Sequence, residues 1–203
     1  MTRHRVGRLT LVSVAALALL APARVPLGPR ETIEESVECT LAVLDDPALQ
    51  GEARTRQRRE SIRLIAAAVF DFEEMARRAL GYHWRSRTPD ERAEFTELFT
   101  DLLQRAYMVR IEEYEGERIR YAPARMDGDH AVVDTTIAPK TGPEVPVSYR
   151  MRHEDGRWLV YDVVIEGVSL ISNYRTQFDR ILRTSSWQEL VGRMRAKAVE
   201  SPS

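Results

Sequence analysis

The chain has 203 residues with nearly balanced charge, 30 Lys+Arg against 31 Asp+Glu. A formal net charge of −1 gives no electrostatic footprint for nucleic acid. The single cysteine excludes an internal disulfide framework, and the length suits one domain with a real core.

Arg3, Arg5 and Arg8 form a positive n-region, and Leu9 to Leu20 is an apolar run too short to span a bilayer as a helix. Ala21-Pro22-Ala23 then predicts cleavage after Ala23, so residues 1–23 read as a signal peptide of an exported protein. A lipid anchor would need a cysteine directly after that run, and Cys39 lies well downstream. The mature chain would carry 27 Lys+Arg against 31 acids, a net charge of −4. Residues 24–30 read as a flexible N-terminus, and 31–198 as a single domain.

From Glu31 the pattern is helical: Ile33, Val37, Leu41 and Leu44 share a face, and Asp46-Pro47 ends the run. Cys39 reads as a small buried hydrophobe of this helix. Arg54 to Val69 is a second helix with Ile62, Ile65, Ala66 and Val69 at core spacing. Its cluster Arg54, Arg56, Arg58 and Arg59 reads as a solvated face offset by Glu52 and Glu60. Asp71 caps a short helix, Glu74 completes a box-like pair, and Gly81 stops it. Thr88-Pro89-Asp90-Glu91 opens the longest helix, whose apolar positions run from Phe95 to Tyr114 before Gly116.

The period then changes to two. Ile119 and Tyr121 mark a first strand, turned at Asp127-Gly128 into Ala131 to Ile137. Val145, Val147, Tyr149 and Met151 alternate with polar residues in a third strand. Asp155-Gly156 turns into the fourth, Trp158 to Ile165, which is apolar on both faces apart from Asp162 and reads as central. A helix from Val168 to Arg183 and another capped at Ser186 close the chain. The order predicts an α+β fold, a four-stranded antiparallel sheet wrapped by helices.

Catalytic motifs are missing. His83, His130 and His153 have no metal-ligand spacing, and there is neither a Gly-rich phosphate loop nor a G-x-S-x-G elbow. Asp162 admits two readings: a general base with a pKa raised by burial, or an outward-facing acid paired with Arg150 or Arg152 across the strand. The segment Trp158 to Phe178, apolar and without a reaction centre, points instead to binding something hydrophobic.

Three stretches carry a resemblance: FDFEEMARRALGYHWR (Phe70 to Arg85), TPDERAEFTELFTDLLQRAY (Thr88 to Tyr107) and YDVVIEGVSLISNYRTQF (Tyr161 to Phe178). They resemble the MlaC family, the toluene-tolerance or Ttg2-type phospholipid-transport auxiliary proteins, over about Glu31 to Lys197. The last motif is the most specific, because helix or strand propensity does not dictate it. The resemblance implies a non-enzymatic periplasmic carrier, without a cofactor, that holds a phospholipid as cargo. It also implies traffic between an inner-membrane ABC transporter complex, with its membrane-anchored substrate-binding subunit, and an outer-membrane lipoprotein complex, maintaining outer-membrane lipid asymmetry.

The implied fold has a strongly curved sheet, NTF2-like or cystatin-like, with an internal hydrophobic cavity between sheet and helices. The expected lining is Leu98, Leu102 and Tyr107 on the long helix, with Val147, Tyr149 and Met151 on the third strand. Tyr161, Val163 and Ile165 on the fourth strand, with Val168, Ile171 and Tyr174 beyond it, complete the set. Gly167 is expected to permit the strand-to-helix turn, and Arg175 and Lys140 are candidates for a phosphate head group. Two other readings compete: an NTF2-like small-molecule enzyme with Asp162 as base, and a structural adaptor of a transport complex.

Overall fold

Capping residues set the helix boundaries in the computed structural model, which describes residues 27–200. The expected signal peptide, residues 1–23, lies outside the described residues. Helices α1 (Pro29–Asp45) and α2 (Thr55–Val69) come first, followed by α3 (Phe72–Leu80) and α4 (Pro89–Glu112). Thr88 and Glu91 form the full reciprocal box at the start of α4. At α3 only half of the expected pair forms: the Asp71 carboxylate accepts from the Glu74 amide at 2.9 Å. Glu74 is instead drawn sideways by Arg77 and Arg78, and lies 6 % exposed.

The sheet has six strands rather than four: β1 (Arg118–Tyr121), β2 (Arg125–Asp127), β3 (His130–Ala138), β4 (Val145–Glu154), β5 (Arg157–Ile165) and β6 (Val168–Ser169). β1 and β2 both pair antiparallel with β3, one along each half. The expected single first strand is split at Pro123, which has no amide proton to give the ladder. β6 adds the sixth strand, and α5 (Leu170–Thr184) begins only after it, at an N-cap formed by Ser169. Val168 is therefore an exposed strand residue and not the first residue of a helix. α6 (Trp187–Glu200) closes the chain, its Glu189 amide capped by the Ser186 hydroxyl.

β5 is not central. It pairs with β4 along its length, but its other side meets only the two-residue β6 and a single bridge from Phe70 to Val160. Its apolar character comes from helices that cover it, because α2, α3 and α5 all pack on this strand. The β4–β5 register shifts between Arg150 and Met151, leaving Tyr161 as the extra residue of a bulge. That bulge brings Val160 and Val163 into one core, although a strict period of two would place them on opposite faces. Asp155 (φ 49°) and Gly156 (φ 76°) make the β4–β5 turn with two left-handed residues, as their sequence predicts.

Two cores result. Ile33 of α1 fills the sheet face with Val133, Val147, Met151, Val160 and Val163, and Val37 and Val69 pack at its edge. The other core is helical, with Phe95, Phe99, Phe178, Trp187, Leu190 and Met194 at its centre. Cys39 is exposed, so the expected buried role is corrected: it faces solvent on α1, away from Ile33.

The α2 arginines are offset from farther away than expected. Arg58 and Arg59 both bind the carboxylate of Glu112, at the end of α4. Burial pushes the Glu112 and Glu74 carboxyls up, but their arginine partners outweigh it and both end below the usual value of 4.5. Carboxyls depressed in the folded state stabilise it above the unfolded value and lose that contribution as pH falls through the folded one. Urea midpoints at pH 7 and pH 3.5 should therefore show an acid-side loss of stability that is smaller in Glu112→Gln.

Candidate functional site

The helical core leaves an opening where α4, α5 and α6 meet. Its floor follows from helical spacing. On α5 the residues Tyr174, Phe178 and Ile181 share one side, and Leu190 and Met194 do so on α6. Leu102 of α4 faces them, and together they line a cleft of about 600 Å³, open to solvent on one side. That volume lies in the usual range of roughly 300–1,000 Å³ for small-molecule sites. Burial pushes the Tyr174 phenol up, with Tyr107 nearby adding to the effect, and burial also raises Tyr107. Both rings stay neutral in the physiological range. Gln177, Arg180, Thr184 and Arg193 form the polar part of the lining.

The twelve expected residues are distributed unevenly around this cleft. Leu102 and Tyr174 line it, while Leu98 and Tyr107 are half-buried against the same helical core. Val147, Met151 and Val163 instead fill the sheet core beneath α1, and Tyr149 and Ile165 pack at its edge. Ile171 is buried in the helical core. Val168 is 58 % exposed and borders neither core. The cleft thus lies among helices, and the sheet face that was expected to bound a cavity is covered by α1. Phe178, Ile181, Leu190 and Met194 were missed as lining; their i, i+3 and i+4 spacing was legible, but not which side it faced.

Tyr161 belongs elsewhere because of its bulge. Its ring lies under the Arg78 guanidinium, 4.0 Å from the centroid, in a second cavity of about 400 Å³. Arg175 lines that cavity, and its Nε donates to the Arg78 carbonyl at 2.9 Å. Lys140 donates to the Glu115 carbonyl at 2.9 Å in the loop after β3. Neither of these head-group candidates lines the cleft.

Asp162 is 3 % exposed and fully engaged. Oδ2 accepts from Arg150 Nη1 at 3.2 Å and from the Ser169 hydroxyl at 2.7 Å, and Oδ1 accepts from the Ile171 amide at 3.2 Å. The carboxylate ties β4 and β5 to the first turn of α5, where an anion is favoured by the helix dipole. Of its two readings the pairing with Arg150 matches this geometry, but the expected outward-facing placement is corrected: the side chain is buried, held against the start of α5 by Ser169 and the Ile171 amide. Asp162→Asn should cost about 1–2 kcal/mol in denaturant unfolding, and leave ligand binding within about twofold of the parent.

The histidines do not converge. His83 meets Asp179 at 3.0 Å, His130 sits edge-on to Tyr161, and His153 lies against Trp158. Among the described residues no group of three His, Cys, Asp or Glu side chains is placed to hold a metal ion. No helix among them is long and apolar enough to cross a membrane.

Comparison with known proteins places this geometry. A toluene tolerance protein, ttg2D of Pseudomonas putida, is 25% identical over 170 residues, covering 83% of this chain and 78% of that protein. The intermembrane phospholipid transport system binding protein MlaC of Haemophilus influenzae is 22% identical over 126 residues, 60% of this chain and 59% of that one. A phospholipid-binding protein from Ralstonia solanacearum, solved in complex with a phospholipid, superposes with a TM-score of 0.75 at 24% identity. It covers 86% of this chain and 100% of its own. That likeness shows the same α+β fold. The family model described as MlaC protein matches residues 34–196, well over half the sequence, and the chain belongs to the MlaC family.

Proposed function

We propose that this protein is a periplasmic phospholipid carrier, taking cargo between an inner-membrane ABC transporter complex and the outer membrane. The observation that carries the reading is the cleft: a space of about 600 Å³ floored by aromatic and aliphatic side chains and left unfilled by the protein itself. Open apolar surface of this kind costs stability unless something covers it. The names of the relatives, a phospholipid transport binding protein and a phospholipid-binding protein, support a lipid as what covers it.

Physical chemistry explains why such a carrier is needed. Each methylene brought into water costs about 0.8 kcal/mol, so two acyl chains of roughly fifteen methylenes cost on the order of 20 kcal/mol. Crossing an aqueous compartment unaided is correspondingly slow. A carrier replaces bilayer contacts with its own apolar contacts, and no bond needs to be made or broken. The test is transfer of a labelled phospholipid between two liposome populations. The carrier reading requires that catalytic amounts of protein speed transfer many-fold. A rate equal to the protein-free control would refute it.

A further inference from the structure

The cleft is not uniformly apolar, and its polarity is graded. Around α5 the burial falls from Phe178, 4 % exposed, through half-buried Tyr174, Ile181 and Gln177 to exposed Arg180. Across the cleft α6 repeats the order, from Leu190 at 1 % and Met194 at 4 % to exposed Arg193. The two arginines stand on either side of the short Ser185-Ser186 link. At 1.5 Å of rise per residue, Arg180 lies about 6 Å before the end of α5 and Arg193 about 9 Å into α6. Both line the cleft, one from each helix.

Their charge is largely uncommitted. Arg180 has no carboxylate partner among the described residues. Arg193 pairs with Glu189 at 2.7 Å, but the two side chains are 56 % and 50 % exposed, and such surface pairs hold weakly. No acid lines the cleft. An apolar floor with two cations at its mouth suits an amphiphile whose anionic group stays at the surface while its chains go in.

We infer that Arg180 and Arg193 are the head-group end of the cleft, and that they make it select phosphate-bearing lipids over neutral lipids with the same acyl chains. The inference rests on the reading of the cleft as a lipid site and assigns its polarity. Guanidinium groups donate forked hydrogen bonds to phosphate oxygens, whereas a diacylglycerol presents only a hydroxyl at the same place. Neither Arg175 nor Lys140 takes this role.

The test uses liposomes containing equal amounts of phosphatidylglycerol and diacylglycerol with identical acyl chains. The protein is incubated with them and separated, and its bound lipid is extracted and weighed by class. The parent is expected to take phosphatidylglycerol in about fivefold excess. The Arg180→Gln, Arg193→Gln double variant should lose phosphatidylglycerol selectively, so that the excess falls to within about twofold. Equal uptake of both lipids by the parent, or an unchanged excess in the variant, would overturn the inference and leave the carrier reading standing. If the parent took up neither lipid, the carrier reading itself would fail, and this inference with it. Both arginines are exposed, so a matching melting temperature confirms that the variant is folded.

Discussion

A Leu102→Glu variant is expected to purify with at most about a tenth of the phospholipid that the parent carries, while remaining folded. Leu102 is half-buried on α4 and lines the cleft together with Ile181 and Met194. In the empty protein a glutamate there still reaches water through the open side. Once acyl chains fill the cleft the same carboxylate is covered, and an unpaired buried charge costs several kcal/mol. A tenfold loss corresponds to only about 1.4 kcal/mol, so the expectation is conservative. Leu102→Met, similar in volume and apolar, should retain its lipid. Phosphate analysis of the purified proteins reads the difference, and circular dichroism checks the fold.

The second large effect is on stability. Phe95 is fully buried at the point where the helical core converges, with Phe99 at 5.9 Å, Phe178 at 5.4 Å and Trp187 at 5.8 Å between ring centroids. Phe95→Ala removes an aromatic side chain shared by α4, α5 and α6 and leaves a cavity. The expected cost is about 3–5 kcal/mol, lowering Tm by roughly 10 °C for a domain of this size. The same helices wall the cleft, so this variant should also lose lipid, but only together with its folded signal. Leu102→Glu should lose lipid alone. The pair separates damage to the site from damage to its support.

The helices were legible from the sequence because their caps are local. Thr88 and Glu91 are three residues apart, and the bonds between them need nothing from the rest of the fold. The α+β order and the β3–β4–β5 meander were legible for the same reason, through alternation and the Asp155-Gly156 turn. Several features depended on distant partners and were not. β5 is apolar on both faces because helices cover it, a pattern that a central strand would also show. The bulge at Tyr161 has no local signature, yet it takes that ring out of the sheet core and into a different cavity. Glu112 is an ordinary surface acid in the sequence, and only the meeting of α2 and α4 gives it two arginines.

For the site, apolar spacing identified residues that are buried without telling a filled core from an open wall. Val147, Met151 and Val163 are as apolar as Leu102 and Tyr174, but Ile33 of α1 occupies the space in front of them. Whether a face is filled depends on which helix packs on it, and that is decided by the whole chain. The Asp162 carboxylate shows the reverse case. Its neighbours Arg150, Ser169 and Ile171 all lie within twelve residues, so a structural role was accessible to sequence reasoning and is what the geometry displays.

On the proposed function, the cleft between α4, α5 and α6 carries a phospholipid. Native mass spectrometry of the protein, purified from its native cells without detergent, tests this most directly. The expected result is a species heavier than the polypeptide by one or more diacyl phospholipids, released on mild activation and reduced at least about tenfold in Leu102→Glu. A parent protein found only at its bare polypeptide mass, or one whose Leu102→Glu variant keeps the same bound lipid, would contradict it.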